Sequence, residues 1–343
     1  MEQLKPAFET NNIPVVFSIG DEYVPVFAVA LKSIIACSSE ENHYDILILD
    51  TDISEAHKRD LGGLLGNHDN FSLRYVSVLP YLASWDIRTY SYIPVRTYYR
   101  LLIPQLFTSY DKVLYLDADL VVCQDIATLF ATDIGEAYIA AVSDPDFLGQ
   151  LRLIHMDTFS YATKDLGLEN PFAYVQAGVM LFNVTALNRH EIGPEFLKAS
   201  ECGYRYADQD VLNQVCQHHV HFLSPIWNVL TDYKHLRVRH IISHAPKEVY
   251  AAYLDARKHP AIIHYAGSVK PWTVRKAYDF GNRFWEYAKD SPWFEVLRKQ
   301  QKGTIKSRYR ETVADLANFL LPYGSIRREK IKHIFKKLKK RAY

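Results

Sequence analysis

From residue 13 to residue 116, short apolar runs alternate with helix-spaced apolar positions, and this alternation limits the fold more than any other feature of the chain. Residues 13–19 (IPVVFSI), 44–49 (YDILIL), 71–78 (FSLRYVSV) and 112–116 (KVLYL) read as strands. Between them, Val26, Phe27, Val29, Ala30, Ser33 and Ile34 recur at helical spacing. Ser54 stands where it can cap a second helix, whose end Gly62, Gly63 and Gly66 weaken, and residues 97–107 give a third that ends near Pro104. Strand and helix alternating at this spacing predict a parallel sheet with crossover helices, an α/β fold. Further on, residues 174–183, 219–223 and 261–264 read as strands and residues 208–216 as a short helix. From Asp279 the pattern is helical to the end, interrupted at Pro322-Tyr323-Gly324. The expected organisation is one body, residues 1–285, and a helical appendage, residues 286–343.

Charge and cysteine usage narrow the class. The 40 Lys+Arg against 39 Asp+Glu exclude a generally basic nucleic-acid binder. Residues 325–343, however, hold nine Lys/Arg and one acid, Glu329, so a tail of +8 follows a body of −7. Cys37, Cys123, Cys202 and Cys216 show neither C-x-x-C nor zinc spacing, which points to a reducing compartment. The N-terminus has no basic-then-apolar pattern, so no signal peptide is expected. The 24 Tyr and 17 Phe suit flat polar ligands such as sugars, and equally a core with wet edges.

Four segments hold the chemistry. In KVLYLDAD an apolar strand ends in Asp117 and Asp119, spaced so that extended backbone turns both to one face. Two such carboxylates repel unless a cation lies between them, and ligands of open α/β sheets bind beyond the carboxyl ends of the strands. The alternative is a solvated turn. In HYAGSVKPW, His264 offers a nitrogen ligand, Gly267 allows close backbone approach and Lys270 offers a point charge for phosphate; a buried His, a turn Gly and a surface Lys would read the same way. Together the two segments suggest an O,O,N site for a divalent ion with positions open for diphosphate oxygens. In YADQD, Asp208 is either a helix cap or a ligand-binding residue, with Gln209 beside it. In RTYYR, Arg96 and Arg100 can reach a sugar or phosphate, or pair with a helix acid.

Six segments in this order, FSIGDEY from Phe17, TYYRL from Thr97, YLDAD from Tyr115, QAGVMLFN from Gln176, DQD from Asp208 and HxxGxxKPW from His264, resemble glycosyltransferase family 8 over residues 13–285. This family comprises retaining bacterial galactosyl- and glucosyltransferases of lipopolysaccharide and capsule synthesis, with glycogenin as a relative. The resemblance implies a Rossmann-like nucleotide-sugar-binding domain of the glycosyltransferase A type with a helical C-terminal appendage. It implies a UDP-hexose donor and Mn²⁺, with Mg²⁺ as the alternative ion, held by Asp117, Asp119 and His264. Ser18, Asp21 and Tyr23 match the uridine site, and Gly267 and Lys270 the diphosphate contacts. Arg100, Asp208 and Gln209 match residues around the donor sugar, with Gln209 facing the reacting carbon. Gly20 and Gln176 depart from the family pattern: the first bears on a uracil contact, the second on hexose preference.

An amide such as Gln209 is a poor nucleophile, so front-face attack is expected rather than the carboxylate double displacement of glycosidases. Residues 144–172 are the expected acceptor lid, with Asp146, Phe147 and Tyr161 as candidate sugar contacts. On residues 326–341, Ile331, Ile334, Phe335 and Leu338 recur at helical spacing among Lys/Arg. A basic amphipathic helix of this kind predicts binding to an anionic membrane surface, here on the cytoplasmic face, where the acceptor would be a glycan or glycolipid. Nucleic acid is not an expected partner. The competing readings are another metal-dependent enzyme of nucleotide diphosphates, such as a nucleotidyltransferase, and a sugar-binding protein without catalysis.

Overall fold

The structure is a computed structural model. It describes residues 4–302 except 84, 88–93 and 277, and beyond these only 313, 316, 318–322, 325–328 and 330–331. Of the seven strands expected from apolar runs, the one at 261–264 lies in a second sheet, and the other six are β1 (Asn12–Ser18), β2 (His43–Asp50), β3 (Phe71–Ser77), β4 (Lys112–Leu116), β7 (Val175–Asn183) and β8 (Val220–Phe222). With β6 (Ile139–Ser143) they form one sheet in the order β3-β2-β1-β4-β7-β6-β8. A second sheet of order β5-β10-β9 joins β5 (Leu120–Val122), β10 (Ile262–His264) and β9 (Val229–Leu230).

The expectation of a parallel sheet holds for every strand of the first sheet but one, β6 and β8 also pairing in parallel. Strands β3, β2, β1 and β4 pair in parallel, but β7 runs antiparallel to both β4 and β6. Strand direction depends on which partner a strand meets, and apolar patterning does not encode that choice. Two core clusters lie on opposite faces of the sheet, as the near-continuous apolar runs require: Val15 and Phe17 enter one, Val16 the other.

The helix Val24–Cys37 follows β1, and the helix Glu55–Leu65 follows β2 with the Ser54 hydroxyl accepting the His57 N–H. Residues expected as an α-helix from 97 to 107 form instead a 3₁₀ segment, Val95–Leu102, and one short turn, Ile103–Leu106. Tight winding buries Tyr98 to Leu102 in succession and turns Arg100 inward. The helices Gly281–Ala288 and Phe294–Lys302 bury Phe284, Ala288 and Leu297 in the cluster that holds Val26 and Val29 of the helix Val24–Cys37. Residue 285, the expected division, falls inside the first of them. The four cysteines are unpaired. Residues 332–343 of the expected amphipathic tail lie outside the described residues.

Candidate active site

Where the chain leaves one sheet for the other, it builds the site. Strand β4 ends at Leu116, and β5 begins at Leu120 in the second sheet. The intervening residues are not extended, as the sequence pattern suggested, but bend between the sheets. The Asp117 N–H donates to the Gly178 carbonyl of β7 (2.8 Å), and the Tyr265 N–H donates to the Asp119 carbonyl (2.9 Å). Pairing of His264 with Leu120 sets the imidazole beside both carboxylates. Its Nε2 lies 3.6 Å from Asp117 Oδ2 and 3.3 Å from Asp119 Oδ1. A side chain on residue 178 would collide with this group, because its Cβ would stand 2.3 Å from His264 Cε1 and 2.7 Å from Asp117 Oδ2. Glycine there is a condition of the site.

Asp117, Asp119 and His264 present three ligand atoms within 4.8 Å of one another, the one such group among the described residues. Two hard carboxylate oxygens and one imidazole nitrogen suit a divalent ion of mixed O,N preference, so the residues fit a metal. Burial acts to raise the Asp119 carboxyl, but the Lys270 ammonium on it and neighbouring His264 outweigh burial and hold it below the usual carboxylate range. Lys270 also donates to the Tyr265 carbonyl (2.8 Å), which places it at the mouth of the His264–Gly267 turn. Gly267 has φ +101°, a conformation open to glycine and strained for other residues.

A cavity of about 300 Å³ opens on this group. Its walls include Arg100, Asp117, Asp119, Gln176, Asp208, Gln209, His264 and Gly267, so eight of the twelve residues expected around the ion, uridine, diphosphate and donor sugar converge on one space. Thr97, Ala177, Tyr206, Ala207 and Ala266 complete it. Asp208 begins the helix Asp208–Cys216 but does not cap it; its carboxylate accepts from Thr97 Oγ1 (2.9 Å) and pairs with Arg100 Nε (3.0 Å). Burial pushes its carboxyl up to about 6, against the pull of Arg100. Arg100 is itself buried and joins Asp117 at 2.8 Å, so both acids face one guanidinium. Gln209 is held at both ends of its amide: Oε1 accepts the Ala177 N–H (3.0 Å), and Nε2 donates to Asp144 Oδ2 (3.0 Å). Burial and the neighbouring Asp146 charge push Asp144 up to about 6.

The uridine candidates stand apart from the cavity wall. Ser18 donates to the Arg96 carbonyl (2.6 Å), and Asp21 accepts from the Ser54 N–H (2.9 Å) and contacts His57 Nδ1 (2.7 Å). The Ser54 N–H lowers the Asp21 pKa most. Half-buried Tyr23 meets Trp272 edge-on at 6.3 Å, and burial followed by the Asp119 and Asp117 charges drives its hydroxyl pKa far up. Gly20 has a clear cause. The Arg96 guanidinium lies over it, 2.3 Å from where a Cβ would be, and pairs with Glu22 (2.9 Å) and Asp52 (2.6 Å). Arg96 therefore has acid partners of its own, while Arg100 belongs to the cavity.

The lid candidates need correction. Asp146, Phe147 and Tyr161 are turned into the protein, not toward an acceptor. Asp146 pairs with Arg237 Nε (2.6 Å), Phe147 stacks on Tyr174 at 3.7 Å, and Tyr161 donates to Asp210 Oδ2 (2.6 Å). Large apolar groups exposed in this stretch are Ile154, Phe159 and Phe172. Thr97 and Tyr206 of the wall stand in the flagged segments TYYRL and YADQD but are given no role there, while Asn228 and Arg237 behind it reach the site only through long-range packing and carry no local signal.

Residues 14–275 match the profile of glycosyl transferase family 8. Lipopolysaccharide 1,2-glucosyltransferase of Escherichia coli is 24% identical over 319 residues, covering 88% of this chain and 85% of its own length. Lipopolysaccharide 1,3-galactosyltransferase of Salmonella typhimurium is 31% identical over 203 residues, covering 57% and 55%. Among solved structures, the WbbM bifunctional glycosyltransferase superimposes with a TM-score of 0.79 at 32% identity, over 88% of this chain but 53% of its own. The galactosyltransferase LgtC, solved with donor and acceptor sugar analogs, gives 0.66 at 25% identity, over 82% and 99%. A profile match across most of the chain, agreement of fold and a cavity built from the matching residues lead to one conclusion: the chain belongs to glycosyl transferase family 8, enzymes that move a sugar from a nucleotide-sugar donor to a glycan acceptor.

Proposed function

We propose that this enzyme transfers galactose or glucose from a UDP-sugar to a surface-glycan acceptor, such as lipopolysaccharide or capsule, with retention of anomeric configuration and dependence on Mn²⁺. The observation that supports this reading most is the convergence of Asp117, Asp119, His264 and Gly267 with Arg100, Asp208 and Gln209 on one cavity. In this reading Ser18, Asp21 and Tyr23 hold the uridine, Gly267 and Lys270 the diphosphate, and Gln176 bears on the choice of hexose. Asp117, Asp119 and His264 hold the ion, which when bound supplies positive charge to the departing diphosphate.

The chain's own groups do the remaining work. Lys270 carries a second positive charge on a flexible stem, able to leave Asp119 for a phosphate oxygen. Arg100 fixes Asp208 and Asp117 in place. The Gln209 amide cannot rotate without losing its bonds to Ala177 and Asp144, so its oxygen is set beside the cavity as a partial negative charge. That charge favours a reacting carbon that turns positive. Gln209 does not act as a nucleophile. The acceptor hydroxyl enters on the face the diphosphate leaves, and a phosphate oxygen takes its proton.

The likeness to lipopolysaccharide glucosyl- and galactosyltransferases favours a surface glycan as acceptor. The basic C-terminal segment favours placement on the inner face of the cytoplasmic membrane, where such acceptors are lipid-linked. Among the described residues no helix is long and apolar enough to cross a membrane. Release of UDP from a panel of UDP-sugars, with and without Mn²⁺, tests the donor, the ion and the reaction together. Nucleotide exchange in place of sugar transfer would support a nucleotidyltransferase, and binding without turnover a sugar-binding protein.

A further inference from the structure

The protonation pattern of His264 is set three residues away from the ring. The Gly178 N–H can only donate, and it points at a terminal atom of the Gln176 amide at 2.7 Å. That atom must be the oxygen. The same atom lies 2.5 Å from the Asn228 amide, so Asn228 faces it with its NH₂ group. The Asn228 oxygen is then turned to the other side, where it lies 2.9 Å from His264 Nδ1. An amide oxygen only accepts, so Nδ1 carries the hydrogen. In the neutral ring the lone pair is therefore on Nε2, the atom facing Asp117 and Asp119. One backbone N–H fixes the direction of every bond in the series. Asn228 and His264 are both buried, so water does not compete for these groups.

We propose that Asn228 is a positioning residue with two tasks: it holds His264 in the Nδ1–H tautomer with Nε2 ready to bind a divalent ion, and it ties that ring to Gln176 at the donor-sugar wall. A lone pair and two carboxylates turned toward one point repel each other until a cation enters, so the series pre-arranges the site for metal. The Gln176 oxygen takes two donors, and Gln176 lines the cavity wall. Metal ligand and sugar wall therefore form one hydrogen-bonded unit, and a change at Asn228 should be felt at both. The inference rests on the proposed reading of Asp117, Asp119 and His264 as metal ligands, but its first part can be read in the metal-free protein.

The test uses the full chain with ¹⁵N-labelled histidine in mildly alkaline buffer, His264 being assigned with a His264→Gln control. Long-range ¹H–¹⁵N spectra of the metal-free protein should show a protonated Nδ1, and wherever the ring is neutral the bare nitrogen should be Nε2. In Asn228→Ala the ring should become a mixture of tautomers. Mn²⁺ binding without donor, followed by the electron paramagnetic resonance of free Mn²⁺, should weaken about 10–100-fold in Asn228→Ala. Asn228→Asp keeps an acceptor for Nδ1–H but loses the donor to Gln176. It should therefore retain Mn²⁺ affinity while shifting the ratio of turnover with UDP-galactose and UDP-glucose. An Nδ1 without its proton in the wild-type protein, or unchanged Mn²⁺ affinity in folded Asn228→Ala, overturns the proposal. A wild-type protein with the expected tautomer but no Mn²⁺ affinity would instead defeat the metal reading and leave the tautomer assignment standing.

Discussion

Arg100 Nη2 lies 2.8 Å from Asp117 Oδ1, and the same buried guanidinium turns its Nε to Asp208 at 3.0 Å. A fork of donors on a rigid plane serves two acids that are far apart in sequence. Lysine, a point charge, cannot reproduce this. Breaking a buried pair by removing one partner costs about 3–5 kcal/mol, because the other charge is left unpaired. Arg100→Met should lower the denaturation midpoint clearly and reduce UDP release strongly. Arg100→Lys should recover part of the stability and little of the activity. If Arg100→Lys kept both, the guanidinium would not be organising the cavity.

The proposed metal ligands are testable by deletion. Asp119→Ala and His264→Ala should each remove Mn²⁺-dependent transfer almost completely, since groups merely supporting a ligand already cost about 10–100-fold. Circular dichroism should remain native, because both side chains border an open cavity and not the apolar core. Near-normal transfer by purified, folded Asp119→Ala would falsify the metal assignment.

Gln209 separates two mechanisms. Held by Ala177 and Asp144, it can support positive charge without attacking carbon. Gln209→Ala should lower turnover without abolishing it, and the product should keep the α-configuration by NMR. A glycosyl adduct trapped on Gln209 or Asp208 in the native enzyme would sink front-face attack. A β-linked product from an α-linked donor would reject retention itself.

Two buried acids make stability depend on pH. Asp144 and Asp208 both titrate near 6 in the folded state, against 3.8 ordinarily. Between those values the folded protein keeps protons that the unfolded chain has released. Stability from these groups is therefore full below about pH 4 and falls as pH rises through about 6, by on the order of 3 kcal/mol for each group. Asp119 has the opposite sign: its lowered pKa stabilises above the ordinary range, and that contribution is lost on acidification. Urea denaturation across this range should show a shallower fall for Asp144→Asn than for the wild type. An unchanged slope would mean that Asp144 is ionised throughout.

How much of this was legible in the sequence depended on whether the signal was local. Residues 13–19, 44–49 and 112–116 showed their strands because short apolar runs buried on both faces have few other uses, and residues 71–78, on the half-exposed edge strand, by alternation. Asp117 and Asp119 stood out for the same reason, as charges ending an apolar run. The reversed direction of β7 was not legible, since β7 reads as apolar in either direction. Residues 95–102 misled because an apolar stretch of that length does not separate a period of 3.0 from 3.6. Asp146, Phe147 and Tyr161 looked like sugar contacts by type, yet their partners Arg237, Tyr174 and Asp210 lie 91, 27 and 49 residues away and draw them inward. Asn228 followed a tryptophan in an ordinary turn, and only β10 and β7 folding beside it gave it a role.

The proposed membrane placement can be tested from the C-terminal segment. Leu316, Phe319, Leu320 and Ile326 are exposed, Phe319 to 81%. Ile326 borders an open cavity of about 660 Å³ with Ile154, which is fully exposed, and with Arg152, His155, His240 and His244. This larger cavity holds none of the residues proposed for the donor site. Apolar groups bare to water beside cationic and titratable ones are what an interfacial surface requires. Each Lys/Arg near an anionic leaflet contributes up to about 1 kcal/mol. The nine in residues 325–343 need contribute only part of that, together with the apolar groups, to hold the enzyme at the membrane. Ending the chain at Gly324 should release the protein from anionic vesicles while sparing transfer to a short soluble acceptor. Binding of the full-length protein should weaken with added salt, since exposed charges are screened over about 8–10 Å at physiological ionic strength. Vesicle co-sedimentation unchanged by the truncation would eliminate the tail as the anchor and turn attention to Ile154 and the surface around it.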